Sequence, residues 1–288
     1  MRLVVFDDYR VGVLAPDGVR DVSSVVPGWD PAPPQTFMNR LIANYDKLRP
    51  TLESAAAKAT PRPLASVHLR PPLPSPMNLY AAPANYYAHI DEMRQGQGSG
   101  DRTTTRELGF FLKAPGSISG PSDPIELPDR PGRRFDHESE LGFIVGKEAR
   151  GVPRERAMEY VWGYTCLLDI TMRVGGGRNE ERSMRKSFHT FTPIGPALVT
   201  ADEVGDYHDR QVRLWVNGEL RQNSKPQDLI VDIPELIEIT SATLPMQPGD
   251  LFATGSPPGV GPIKPGDEVV MEIDRVGRLV IPIKARAW

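Results

Sequence analysis

The sequence predicts a mixed, β-rich α+β chain in two parts: a small N-terminal β domain and a larger body. Three observations carry this. The apolar residues fall mainly into short, strand-length runs separated by Gly/Pro turns. Thirty prolines and 26 glycines in 288 residues suit a loop-rich β body rather than a helical bundle. One stretch, "PRPLASVHLRPPLPSP" at 61–76, is too proline-rich for a helix and reads as a connector.

In chain order, "RLVVFDDYRVGVLAPDGVRDVSSVV" reads as short strands with turn chemistry at "APDG". Residues 35–58 carry apolar residues at helical spacing, with an interruption expected at Pro50. The boundary falls near residue 70, giving a small domain at 1–70 and a body at 71–288. The body should hold about three helices. "PRERAMEYVWGY" is one, and "DIPELIEITSAT" is another, with Asp232 as its cap and Pro234 in its first turn. The Gly-rich patch "RQGQGSGDRTTTR" at 94–106 is expected to be mobile. No internal repeat is evident.

Charge and cysteine usage exclude several classes. With 34 basic and 37 acidic residues spread along the chain, the net charge is -3 and no basic footprint points to nucleic acid. The single cysteine, Cys166, excludes an internal disulfide framework and fits a reducing compartment. "MRLVVFDDYR" lacks the apolar core of a signal peptide, and no run nears the roughly 20 apolar residues of a membrane span. A cytoplasmic, globular protein is expected.

The chemistry starts at "FDHESELGFIVG". In a strand, Glu138 and Glu140 share one face while Leu141, Phe143 and Val145 line the other. The plain reading is the exposed face of an edge strand, answered by Arg133 and Arg134. Against it stands "YVWGYTCLLDITMR", where Asp169 interrupts an apolar segment in which an unpaired charge is costly. One hard cation accounts for three such carboxylates more economically than three ion pairs, and oxygen donors favour Mg²⁺, Mn²⁺ or Ca²⁺ over zinc. Five histidines, dispersed at 68, 89, 137, 189 and 208, argue against a zinc site. Spacing alone leaves open whether Asp169 folds back beside the glutamates.

"FDHESELGFIVGK", "YVWGYTCLLDITMR", "KSFHTFTPIGP", "VNGELRQ" and "PGDLFATGSPPGVG" occur in an order that resembles the fumarylacetoacetate hydrolase family, from about residue 78 to the C-terminus. "NYYAHIDEM" resembles that family's Asn-Tyr-x-x-His-x-x-Glu segment. The resemblance implies a mixed β-roll, a usual homodimer, and Mg²⁺ or Mn²⁺ held by Glu138, Glu140 and Asp169. It implies a small-molecule substrate with a 2-oxo acid or 1,3-dicarbonyl unit, often an acylpyruvate. Such a unit is polarised by chelation, which stabilises the enolate left when the C–C bond breaks. His89 and Glu92, at i, i+3, become the pair that activates water, and Lys186 the cation that offsets developing charge. Arg173 and Tyr86 are then substrate contacts, and Thr254, Gly255 and Ser256 a loop that binds the substrate carboxylate. The same metal site in this family also serves 2-oxo-acid decarboxylases and enol/keto isomerases, and a non-catalytic ligand-binding relative is a further alternative.

Each of these residues also has a plainer reading: a surface histidine, a solvated lysine, an arginine in a salt bridge, an ordinary Gly/Pro turn. Because His89 and Glu92 directly precede the 94–106 patch, that segment is expected to order over bound substrate. Departures from the family pattern fall at His189, where an aspartate is usual, at Gly176, where many members have glutamine, and at "AAPANYY". Other chemistries fit less well. "TGSPPG" lacks the nucleophile-elbow register, Cys166 reads as a core residue, and no glycine cluster opens a helix after a strand.

Overall fold

The computed structural model describes residues 1–97, 103–174 and 180–287. Gly176 and the centre of the 94–106 patch lie outside the described residues, and with them the expectations placed there. The fold is built on an 11-stranded mixed sheet whose main path runs Gly18–Asp21, Arg10–Ala15, Arg2–Phe6, Thr192–Thr200, Val161–Leu168, Ser139–Val145, Leu251–Ala253, Leu79–Ala81, Phe111–Lys113. A five-stranded sheet joins Glu219–Ser224, Val212–Val216, Glu268–Ile273, Gly277–Ala285 and Ile125–Leu127. A third sheet of three short strands, Thr171–Met172, Phe135–His137 and Gly261–Ile263, lies against the site described below. Among the described residues no helix is long and apolar enough to cross a membrane.

The N-terminal strands form as their pattern requires, with the chain reversing at Pro16 and Asp17. They do not make a sheet of their own. Arg2 and Leu3 pair antiparallel with Val199 and Leu198, so residues 1–21 extend the sheet of the body.

The Ser139–Val145 strand is buried along its whole length, which excludes the exposed-edge reading of "HESELGF". Leu141, Phe143 and Val145 pack into one apolar cluster and Ile144 into the cluster on the other face. A fully buried side chain of this size contributes about 1.5–3 kcal/mol. Phe143 also stacks on Phe252 at 5.1 Å. Gly163 lets the next two strands approach, since a Cβ there would overlap the Val199 carbonyl.

Two helix expectations need correction. The 35–58 segment breaks at Asn44, not at Pro50: Phe37–Ala43 ends there and Tyr45–Lys58 continues with Pro50 inside it. Pro50 and Asp46, whose carbonyl loses its helical partner, are both exposed, so water can serve that carbonyl. In "PRERAMEYVWGY" only Arg154–Tyr160 is helical, as a 3₁₀ turn, and a strand begins at Val161, which pairs with Val145. The β-branched and aromatic residues there are claimed by the sheet. The Ile233–Thr243 helix forms as expected, with Asp232 accepting the Glu235 N–H at 3.0 Å.

A candidate metal centre ringed by buried cations

Strand pairing brings the three carboxylates together. Glu140 faces Leu167 and Ser139 faces Leu168 across the antiparallel pair, and the Asp169 N–H donates to the Glu138 carbonyl at 2.9 Å. Asp169 therefore does fold back beside the glutamates. One oxygen from each of Glu138, Glu140 and Asp169 lies within 4.8 Å of the others, and all three residues are buried.

Cations surround this cluster: Lys186 and Arg173, which the sequence suggested, take part, whereas Arg133 and Arg134 do not. Arg133 pairs with Glu180 and Arg134 with Asp136. The Lys186 ammonium donates to Glu138 Oε2 at 2.8 Å, Asp169 Oδ2 at 2.6 Å and Thr171 Oγ1 at 2.6 Å, its full complement. It is buried, which removes the solvated-lysine reading. Arg173 bridges Asp136 at 2.6 Å and Glu138 Oε1 at 2.7 Å. Lys113, which sequence reasoning missed, donates to Asp169 Oδ1 and to the Phe191 carbonyl. Its signal was faint: one lysine inside the apolar run "GFFLKAP".

Charge is unevenly distributed over the cluster. Burial pushes the Glu138 carboxyl up, but Lys186 and Arg173 outweigh it and hold Glu138 well below the usual carboxylate range. Burial, with Asp169 and Glu138 beside it, drives Glu140 well above that range. Burial lowers Lys113 despite Asp169, whereas Asp169 and Glu138 overcome burial and raise Lys186. Glu140 accepts the Gly255 N–H at 2.6 Å and, among the described residues, no cationic side chain bonds to it. Three buried oxygen donors, one of them lacking a counter-charge, fit a hard divalent cation.

The loop that delivers Gly255 is braced from both sides. Asn85 donates to the Thr254 carbonyl at 2.8 Å and to the Val231 carbonyl at 2.9 Å. Gly255 has φ +104°, and a Cβ would come within 2.7 Å of Asn85 Cβ, so glycine is required. The Thr254 hydroxyl donates to the Leu141 carbonyl at 2.9 Å. Gln222, also missed, donates to Ser256 Oγ at 2.9 Å and accepts the Ser139 N–H at 2.9 Å, tying this loop to the carboxylate strand.

His89 is buried on the Tyr87–Gln97 helix and so is not a surface histidine. Its Nδ1 lies 3.5 Å from Glu92 Oε2, and Glu92 also accepts the Gly259 N–H at 3.0 Å. His89 beside it holds Glu92 below its ordinary value. Tyr86 is buried, its hydroxyl pushed up by burial and by Glu140. His189 lies apart, half-exposed, with Nδ1 3.7 Å from Glu126. Cys166 is a core residue, its thiol pushed up to about 12 by burial.

The family described as "Fumarylacetoacetate (FAA) hydrolase C-terminal" matches residues 78–284. The chain belongs to the fumarylacetoacetate hydrolase family. Within this family it is 39% identical to the maleylpyruvate hydrolase of Aquipseudomonas alcaligenes, over 99% of this chain and 100% of that one. It is 32% identical to the mitochondrial oxaloacetate tautomerase of Xenopus laevis, over 98% of this chain and 90% of that one. Among solved structures, maleylpyruvate hydrolase from Sphingobium sp. SYK-6 in complex with manganese(II) and pyruvate superposes with a TM-score of 0.87 at 41% identity, covering 99% and 100% of the two chains. The mixed-sheet fold of this chain is therefore the fold of that family.

Proposed function

We propose that this family member is a metal-dependent hydrolase that cleaves the C–C bond of an acylpyruvate of the maleylpyruvate type. The observation that carries the reading is the buried Glu138–Glu140–Asp169 centre with the His89–Glu92 pair beside it. It occurs in a chain that aligns end to end with maleylpyruvate hydrolases. Glu138, Glu140 and Asp169 would hold the ion, Mn²⁺ being favoured by the Sphingobium complex, with Mg²⁺ and Ca²⁺ compatible with the same donors. When bound, such an ion supplies Lewis-acid polarisation of a chelated 2-oxo acid.

The protein's own residues do the rest. His89 takes a proton from the attacking water, and Glu92 orients the imidazole and balances its charge. Water oxygen adds to the acyl carbonyl carbon and the C–C bond breaks. Its electron pair goes to the pyruvate methyl carbon, which takes up a proton, leaving pyruvate and a free acid. Lys186, Lys113 and Arg173 keep the ligand carboxylates in place and lay positive potential over the site. In this reading Tyr86 and the Thr254–Gly255–Ser256 loop close the substrate side, and Arg173 acts through Glu138.

The test is the ultraviolet decay of a simple acylpyruvate with Mn²⁺ or Mg²⁺, repeated after chelation, with both products quantified. Metal-dependent decay to pyruvate plus the free acid is expected. Turnover of oxaloacetate without hydrolysis of acylpyruvate would instead support decarboxylation or tautomerisation, the second reading that the Xenopus laevis relative favours.

A homodimer in the cytoplasm belongs to the same proposal. The single, buried Cys166 supports the location. A row of apolar residues across the five-stranded sheet supports the dimer: Trp215 faces Leu220 on one neighbouring strand and Val270 on the other, and Val270 faces Val280. Leu220 and Val280 are exposed.

A further inference from the structure

A cleft of about 550 Å³ opens beside the three-stranded sheet, lined by its Phe135 and Ile263. Its size lies within the range of small-molecule sites. Leu127, Phe135 and Ile263 give it an apolar, buried floor. Its walls carry Arg130, Arg133, Arg134, Lys264 and Arg286, whereas Asp129 is the one acid among the described lining residues. The catalytic reading does not use this cleft.

Two features argue that Arg130 and Lys264 serve a ligand rather than the fold. Arg133 and Arg134 are committed to Glu180 and Asp136. Arg130 lies over the Phe188 ring at 5.8 Å, and the Lys264 side chain is exposed at the rim. Neither is held in an ion pair among the described residues, so both can turn toward an anion. An apolar floor with a cationic rim is also the wrong surface for self-association, because a two-fold axis through it would set like charges against each other. A neutral apolar ligand would leave the rim unused, and a small inorganic anion would leave the floor wet.

We propose that this cleft is a second ligand site, specific for an amphipathic organic anion: a planar or conjugated apolar body bearing a carboxylate or sulfonate. The apolar part packs on Phe135 and Ile263, and the anionic group is held by Lys264 and Arg130. Guanidinium and ammonium groups hold such anions with charge-assisted hydrogen bonds, stronger than neutral ones.

The experiment uses the full-length, Mn²⁺-loaded protein and 8-anilinonaphthalene-1-sulfonate as the probe, with Arg130→Glu/Lys264→Glu as the variant. Neither residue belongs to the metal site, so acylpyruvate turnover by the variant should be unchanged, which also reports its folding. Saturable emission at one dye per chain is expected, weakened by about tenfold or more in the variant. Displacement by 2-naphthoate but not by neutral 2-naphthalenemethanol is also expected. Three results would overturn the proposal. One is equal dye affinity in wild type and variant, and another is displacement by oxalate, which would put the dye at the metal centre. The third is a wild-type protein that ignores the dye and dissociates into monomers when the two charges are reversed, which would make the cleft an interface between copies.

Discussion

Glu140 is the residue with most to gain from an ion. Its carboxyl is raised by burial and by Asp169 and Glu138, so in the metal-free protein charging it costs stability as the pH climbs past the ordinary 4.5. A cation needs the charged form and therefore competes with the proton. The thermal stabilisation given by Mn²⁺ should accordingly be larger at pH 8 than at pH 5, measured by calorimetry at fixed free metal; equal gains at both would contradict this account. His89→Gln should separate binding from chemistry: kcat for acylpyruvate falls by about 10²–10⁴-fold while Mn²⁺ affinity is kept. Loss of metal binding in that variant would show His89 to be a ligand instead. The carboxylates were legible in the sequence because two glutamates at i, i+2 and an aspartate at the end of an apolar segment are each costly without a reason. Lys113 and Gln222 were not, because a single lysine or glutamine gives no periodic signal and its partner lies 56 or 83 residues away.

At the scale of elements, turn and cap chemistry was readable and helix interruption was not. "APDG" and "DIPE" act through neighbours in sequence, so the first hairpin and the Ile233–Thr243 helix follow from local rules. Pro50 would end a helix only where its orphaned carbonyl had no water, a matter of tertiary exposure. The same holds for the proposed unit at 1–70, whose first strand hydrogen-bonds to a strand nearly 200 residues away. A second tie is the Arg49–Asp202 ion pair at 2.8 Å, between the Tyr45–Lys58 helix and the Ala201–Val204 turn. A hydrogen bond from Thr200, with Arg49 adding, brings Asp202 down to about 2. Because this lies below its ordinary 3.8, its contribution is whole above about pH 4 and fades as the pH falls toward 2. Asp202→Asn should lower stability at pH 7 by less than about 1 kcal/mol, since both partners are half-exposed, and the gap should narrow between pH 4.5 and pH 3 in urea titrations. A gap independent of pH would assign the effect to packing.

For the whole molecule, the row Leu220–Trp215–Val270–Val280 makes the proposed dimer testable. Leu220→Asp/Val280→Asp should shift the mass seen by light scattering from about twice 31.8 kDa to 31.8 kDa. A wild-type protein that is already monomeric would remove the dimer from the reading.

The position of Glu138 has a consequence for motion. The residue lies between Phe135–His137, a member of the three-stranded sheet, and Ser139–Val145, in the large one. An ion held by Glu138, Glu140 and Asp169, as proposed, would fasten a small, short-stranded sheet to the large one. Short sheets open first, and an ion bound only by the closed form raises the cost of opening. Amide hydrogens of residues 135–137 and 261–263 should therefore exchange with deuterium more slowly once Mn²⁺ is added, while those of 161–168, deep in the large sheet, change little. Metal would then act as a latch as well as a reagent.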